Sequence, residues 1–246
     1  MRAEHRPWRL AISGLHGGCG ASTLAAGLLL AWPHHSAIQL IDADPANRVR
    51  QALGLGLDAL PGWVDAWRDS RPWAEALRSC GGQASVLPCG EAPFELWPQL
   101  DAAAWQDGLA SLPPCAVQLM VCGPAGSPCW ALARQSADLY CVVATPDILV
   151  STPPARLHAL LGETGVLLIN RFRPERRADL ALLGLARQRW ARWLLPVLVH
   201  DDAHIREALW RRESLHAHAP ASQAAHDLAV LASVLLQQGI CAGVLR

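Results

Sequence analysis

The sequence predicts a doubly wound α/β fold, a mostly parallel sheet flanked by helices on both faces. Three observations lead there. Short apolar runs bounded by Gly, Pro and Asp recur at 8–13, 37–41, 85–88, 116–122, 139–144, 166–170 and 194–200. They are apolar on both faces, which is the pattern of strands covered on two sides. Between them lie stretches with apolar residues three and four apart, the spacing of a helix face.

Taken in order, the first run leads into a glycine-rich turn and an apolar helix over 24–30, and the second closes on Asp42-Ala43-Asp44-Pro45. Arg48 and Arg50 then open a helix. Trp63, Trp67, Trp73 and Leu77 mark a helix before the third run, and Trp97, Leu100, Trp105 and Leu109 another before the fourth. That fourth run ends in Val121-Cys122-Gly123-Pro124-Ala125-Gly126, and the sixth in Asn170-Arg171. The last run leads into His200-Asp201-Asp202-Ala203-His204, where Asp201 or Asp202 would cap a helix over 203–212. A metal site at those residues is the less economical reading. Residues 227–236 are amphipathic without a basic face, so they read as a helix packed on the sheet. Gly81-Gly82 and Pro153-Pro154 read as loop punctuation. No linker or repeat divides the chain, and residues 1–246 are expected to form one domain.

Charge and composition narrow the chemistry. The 246 residues carry 21 cations and 21 anions, and every one of the cations is arginine. The absence of lysine excludes a lysine Schiff base, a lysine general base and the lysine of an ordinary phosphate loop. Zero net charge argues against an undirected nucleic-acid or membrane-surface binder, and the arginine clusters at 171–177 and 187–192 read as solvated helix faces. Eight cysteines without a CxxC pair, several inside apolar runs, read as small hydrophobes in a reducing compartment. The N-terminus lacks a signal-peptide pattern, and the apolar stretches fall short of the roughly 18 residues of a membrane span, so a cytoplasmic location is expected. Most of the eleven tryptophans sit at helical spacing and read as core; Trp190, Trp193 and Trp210, interleaved with arginines, mark a candidate partner surface.

The chemistry concentrates after the first strand, in Ser13-Gly14-Leu15-His16-Gly17-Gly18-Cys19-Gly20-Ala21-Ser22-Thr23. Such a turn presents backbone N–H groups and a helix N-terminus to an anion, and the hydroxyls of Ser22 and Thr23 stand where Mg²⁺ and phosphate would bind.

This loop resembles the deviant Walker A loop of the MinD/ParA ATPases, K-G-G-x-G-K-[ST]-[ST], with His16 and Ala21 in the two lysine places. Asp42-Ala43-Asp44-Pro45 resembles that family's D-x-D-P segment, whose acidic groups organise Mg²⁺ and the attacking water. Cys122 stands where the family has its Walker B aspartate. Leu167-Leu168-Ile169-Asn170-Arg171 is similar to the strand whose asparagine meets the adenine edge, and 195–202, with His200 and Asp201, to the adenine-side loop. The resemblance implies binding through Gly17, Gly18, Gly20, Ser22, Thr23, Asn170, Arg171, His200 and Asp201, with Ser22 and Asp44 toward Mg²⁺. It also implies a sandwich homodimer around Mg–ATP. Several segments, among them Asp42–Asn47 and Gly62-Trp63 through Cys89-Gly90, are closer to the BcsQ branch associated with bacterial cellulose secretion.

That branch implies an accessory subunit that docks other cellulose secretion subunits and reaches the inner membrane or a cell pole through them. Losing one preorganised charge-stabilising donor costs roughly 10²–10³ in rate. Two cations and a carboxylate are missing together, so no catalytic residue is assigned and efficient hydrolysis is not expected. Two other readings stay open: an active partition- or transport-type ATPase in which an arginine from Arg48, Arg50 or a partner chain replaces the lysine, and an iron–sulfur reductase using Cys89 and Cys122. Neither an iron–sulfur cluster nor a nucleic-acid partner is expected.

Overall fold

The computed structural model describes residues 6–33, 36–56, 61–91 and 100–241. The chain forms β1 (Trp8–Gly14), α1 (Ala21–Ala31), β2 (Ile38–Asp42), α2 (Val49–Ala52) and α3 (Trp63–Arg68). It continues through a 3₁₀ turn (Trp73–Ala76), β3 (Arg78–Gly81), β4 (Ala84–Leu87), α4 (Ala102–Ala110), β5 (Val117–Pro124) and α5 (Pro128–Ser136). Next come β6 (Leu139–Ala144), α6 (Pro146–Ser151), α7 (Pro154–Leu161), β7 (Gly165–Phe172) and α8 (Arg177–Arg189). It closes with β8 (Leu194–His200), α9 (Ala203–Arg211), α10 (Leu215–His218) and α11 (Gln223–Cys241).

The strands make one eight-stranded sheet in the order β3-β4-β2-β5-β1-β6-β7-β8. Every pairing is parallel except β3 with β4. Parallel strands place their C-terminal ends on one edge of the sheet, where ligands of such folds bind. β1 and β2 are buried along their whole length, as their largely apolar sequences suit, and the polar Arg9 and Gln39 within them share hydrogen bonds with Gln118 of β5.

All seven expected strands are present within a few residues of their expected ends. An eighth, β3, was not expected. It is short and half-exposed, and it reaches β4 through Gly81 and Gly82 at φ 98° and 55°, so the punctuation at this glycine pair is the turn of a β-hairpin. The expected helix from Trp63 to Leu77 is also corrected. It breaks after Arg68, where Ser70 adopts φ 53° and Pro72 follows, leaving α3 and the 3₁₀ turn. Trp97 lies outside the described residues.

The tryptophan reading divides in the same way. Trp63, Trp73 and Trp105 form a buried cluster with ring centroids 4.6–5.6 Å apart. Trp190 and Trp193 are core residues, which removes them from the candidate partner surface, whereas Trp210 is 84% exposed. α11, with 19 residues and a mean hydropathy of 1.3, is long and apolar enough to cross a membrane, contrary to the expectation that no stretch is. It packs along α1 and β8, and Leu228 fills the space that a side chain on Gly27 would need.

Candidate functional site

The glycine loop leaves β1 held from three sides. The Leu15 amide donates to the Val143 carbonyl (2.8 Å), tying the loop to β6. Within the loop the Cys19 amide reaches the His16 carbonyl (3.4 Å), and the buried Cys19 side chain anchors its floor. From below, Asn170 Nδ2 donates to the Cys19 carbonyl (2.7 Å). Gly20 takes φ 91°, and a Cβ there would stand 2.5 Å from Asn170 Nδ2. Glycine is therefore required by both backbone and space. α1 starts directly after it with no side-chain cap, so its first amides are left for a ligand.

The acidic segment has two faces. Asp42 is fully buried at the end of β2, and its carboxylate accepts the amides of Asp44 and Val49, both at 3.1 Å. Burial pushes its pKa up to about 7, against the pull of those two amides. Its carbonyl accepts the Trp63 indole N–H (2.8 Å). Asp42 is thus the clamp that shapes the turn, and Asp44 is the carboxylate that faces outward.

Near the end of β5 stands Cys122, which is fully buried with Sγ 3.5 Å from the Ile12 carbonyl. Burial pushes the thiol up to about 12, so it stays neutral and offers no carboxylate chemistry. The next residue, Gly123, accepts from Ser13 Oγ (2.6 Å), and a Cβ on it would meet the Asp44 carboxyl at 3.2 Å. Cys89 is equally buried and its thiol is likewise raised well above the ordinary value by burial, so neither cysteine of the iron–sulfur reading faces the surface. Among the described residues no three His, Cys, Asp or Glu side chains are grouped to hold a metal ion.

These elements border a cleft of about 340 Å³ at the C-terminal edge of the sheet. It brings together Gly17, Gly18, Gly20, Ser22, Thr23, Asp44 and Arg171, with His16 and Ala21 in the lysine places. Arg48 lines it and Arg50 does not. Asn170 lies behind the lining, 4% exposed, with its amide committed to the loop. His200 and Asp201 are outside the lining. His200 Nδ1 meets Asp227 Oδ2 at 2.8 Å, and Asp201 pairs with Arg173 (2.6 Å to Nε) and Arg206. Asp202, rather than Asp201, caps α9 through the His204 amide (2.9 Å) and also accepts the Ala224 amide. Burial works against its charge, yet these amide bonds hold its pKa below the ordinary carboxylate value. Gln51 and Leu209 also line the cleft. Gln51 follows Arg48 by one helical step and could have been inferred; Leu209 arrives from α9 and has no local signal.

The donor set suits a magnesium-bound polyphosphate. The glycine-loop amides and α1 amides face an anion, and Ser22, Thr23 and Asp44 supply the hard oxygen donors that Mg²⁺ takes.

The family described as cellulose biosynthesis protein BcsQ matches residues 8–236 of the chain. The cellulose biosynthesis protein BcsQ of Salmonella typhi is 27% identical over 240 residues, covering 91% of this chain and 92% of that protein. Among solved structures, a plasmid partition protein from Borrelia burgdorferi B31 bound to AMPPNP is similar with a TM-score of 0.76 at 13% identity, covering 95% of this chain and 100% of that one. The septum site-determining protein MinD from Pyrococcus horikoshii, complexed with Mg-ADP, gives 0.72 at 19% identity, with 94% and 98% covered. At such identities these two bear on the fold, which is that of the MinD/ParA nucleotide-binding proteins.

Proposed function

The chain belongs to the cellulose biosynthesis protein BcsQ family, and from that footing we propose that it is a MinD-like accessory subunit of a bacterial cellulose synthesis and secretion system that binds Mg–ATP without efficient hydrolysis. Bound nucleotide serves assembly: it holds two copies of the chain together, and the pair docks other secretion subunits. The protein works in the cytoplasm and reaches the inner membrane through those partners.

The observation that carries the reading is the loop. Its glycine framework and hydroxyls are intact around a nucleotide-sized cleft, while Ala21 and His16 replace both lysines and the Walker B position is the neutral, buried Cys122. The first set of features retains binding of an anion; the second removes charges that a hydrolytic transition state uses. Ser22, Thr23 and Asp44 would hold Mg²⁺, which when bound screens the phosphate charges. The chain's own part is to orient the phosphates on the loop amides, with Asn170 fixing the loop.

Calorimetric titration with Mg–ATP, combined with phosphate release by the purified protein, tests this. Saturable binding with turnover at background is the expected result. Rapid turnover would overturn the non-hydrolysing reading, and absence of binding would remove nucleotide from the function altogether.

A further inference from the structure

We infer that the cleft grips the phosphates of its nucleotide with two arginines from outside the glycine loop, Arg48 on one flank and Arg171 on the other; this rests on the nucleotide-binding reading above. The sheet order sets the arrangement. β2 lies beyond β5 on one side of β1 and β7 lies beyond β6 on the other, so the loop at the end of β1 stands between Arg48, after β2, and Arg171, near the end of β7.

Both side chains are exposed, both line the cleft, and among the described residues neither has a hydrogen bond or ion pair. Their neighbours differ. Arg173 and Arg206 are tied to Asp201, and Arg176 lies beside Asp179. Two guanidinium groups without an ion-pair partner, set against Asp44 as the single lining carboxylate among the described residues, leave the cleft with an excess of positive charge to be met by an anion. Guanidinium is suited to the task because it grips phosphate oxygens in pairs and keeps its charge at any working pH.

Arg171 carries a further sign. It adopts φ 57°, a backbone that costs a residue with a Cβ about 1–2 kcal/mol and that Gly or Asn would accept more readily. Arg48 shares its flank with Asp44, the outward carboxylate, which places it toward the metal-bound, terminal end of a triphosphate. Arg171 stands on the flank opposite Asp44, away from the metal-bound end, and so serves the phosphates nearer the nucleoside.

The test is calorimetric binding of Mg–ATP, Mg–ADP and AMP to the full chain and its variants. Arg48→Gln should weaken Mg–ATP about tenfold or more and Mg–ADP by much less, as expected for loss of a charged hydrogen-bond pair to the terminal phosphate. Arg171→Asn, chosen because asparagine tolerates the left-handed backbone, should weaken Mg–ATP and Mg–ADP alike by about tenfold and leave AMP less affected. Arg187→Gln, in the groove between α8 and β8, should change nothing. Melting temperatures without nucleotide should stay close to the parent, which separates lost contacts from lost folding. If the parent binds Mg–ATP and both variants bind it equally well, the arginine clamp is overturned and nucleotide binding stands. If the parent binds none of the three nucleotides, both fall.

Discussion

Asn170 at the end of β7 donates its side-chain amide to the Cys19 carbonyl in the glycine loop at 2.7 Å, joining residues 151 apart in sequence. The amide is buried and touches the site where a Gly20 side chain would stand. Asn170→Ala should destabilise the protein by about 1–3 kcal/mol, because the Cys19 carbonyl loses its partner inside the fold. Gly20→Ala should cost a similar amount through strain at φ 91° and the 2.5 Å approach to Asn170. The pair should cost less than the sum, since removing the asparagine side chain makes room for the new methyl. Urea denaturation of the two single variants and the double variant checks this; strict additivity would show the contact to be immaterial.

Asp42 links stability to pH. Its folded pKa, raised to about 7 by burial from the ordinary 3.8, means that the folded state holds the proton more tightly than the unfolded chain. The contribution is fully present below about pH 4 and is lost as the pH rises through 7, with a span on the order of a few kcal/mol. Asp42→Asn should flatten that slope while lowering stability at acid pH, because an amide cannot accept from both the Asp44 and Val49 amides as the carboxyl does. Urea midpoints of parent and variant between pH 4.5 and 8 give the comparison. Parallel curves would refute the role given to Asp42.

Restoring an acid at Cys122 should not simply restore an ATPase. The position has no exposure, and the Asp44 carboxyl lies against the adjoining Gly123 and acts electrostatically on residue 122, so Cys122→Asp places a second negative charge in a dry corner at a cost of several kcal/mol. The variant is expected to melt lower than the parent at pH 8, and to recover part of the loss at pH 5 or on addition of Mg²⁺. A melting temperature equal to that of the parent would mean that water reaches this corner.

The tryptophan cluster makes Gly108 sensitive. A Cβ on this α4 residue would stand 2.2 Å from the Trp73 ring, which packs at 5.5 Å centroid distance against Trp105. Gly108→Ala should destabilise by about 1–3 kcal/mol even though alanine is the better helix former, since overpacking outweighs propensity here. Near-ultraviolet circular dichroism should lose intensity with it. A stabilised variant with unchanged aromatic signal would show that the cluster is loosely packed.

What could be read along the chain follows from short-range rules. Strands covered on both faces are predominantly apolar, so β1, β2, β5, β6 and β7 announce themselves despite isolated buried polar residues such as Arg9, Gln39 and Gln118. A glycine run between strand and helix must bend sharply, so the loop from Gly14 to Gly20 does too. The splitting of 63–77 is less legible, because Trp63 with Trp67 and Trp73 with Leu77 each keep a four-residue helical spacing on either side of the break that Ser70 and Pro72 impose. β3 has neither the length nor the burial of a core strand, and only its glycine turn marked it.

The sequence by itself determined the fold class, the glycine loop and the loss of its lysines, because each depends on residues adjacent in the chain. Tertiary structure alone decided the direction of each side chain. Asp42 and Asp44 look equivalent in D-x-D, yet one is buried as a clamp and the other faces the cleft. Arg48 and Arg50 are two residues apart at the start of α2, Arg48 as the residue before its first turn, and only Arg48 lines the cleft. Asn170, His200 and Asp201 share one edge of the sheet, but packing commits the first to the loop and the other two to Asp227, Arg173 and Arg206. The physical reason is common to all of these: composition fixes which groups the chain carries, while burial and the partners brought in by distant strands fix which of them remain available to a ligand.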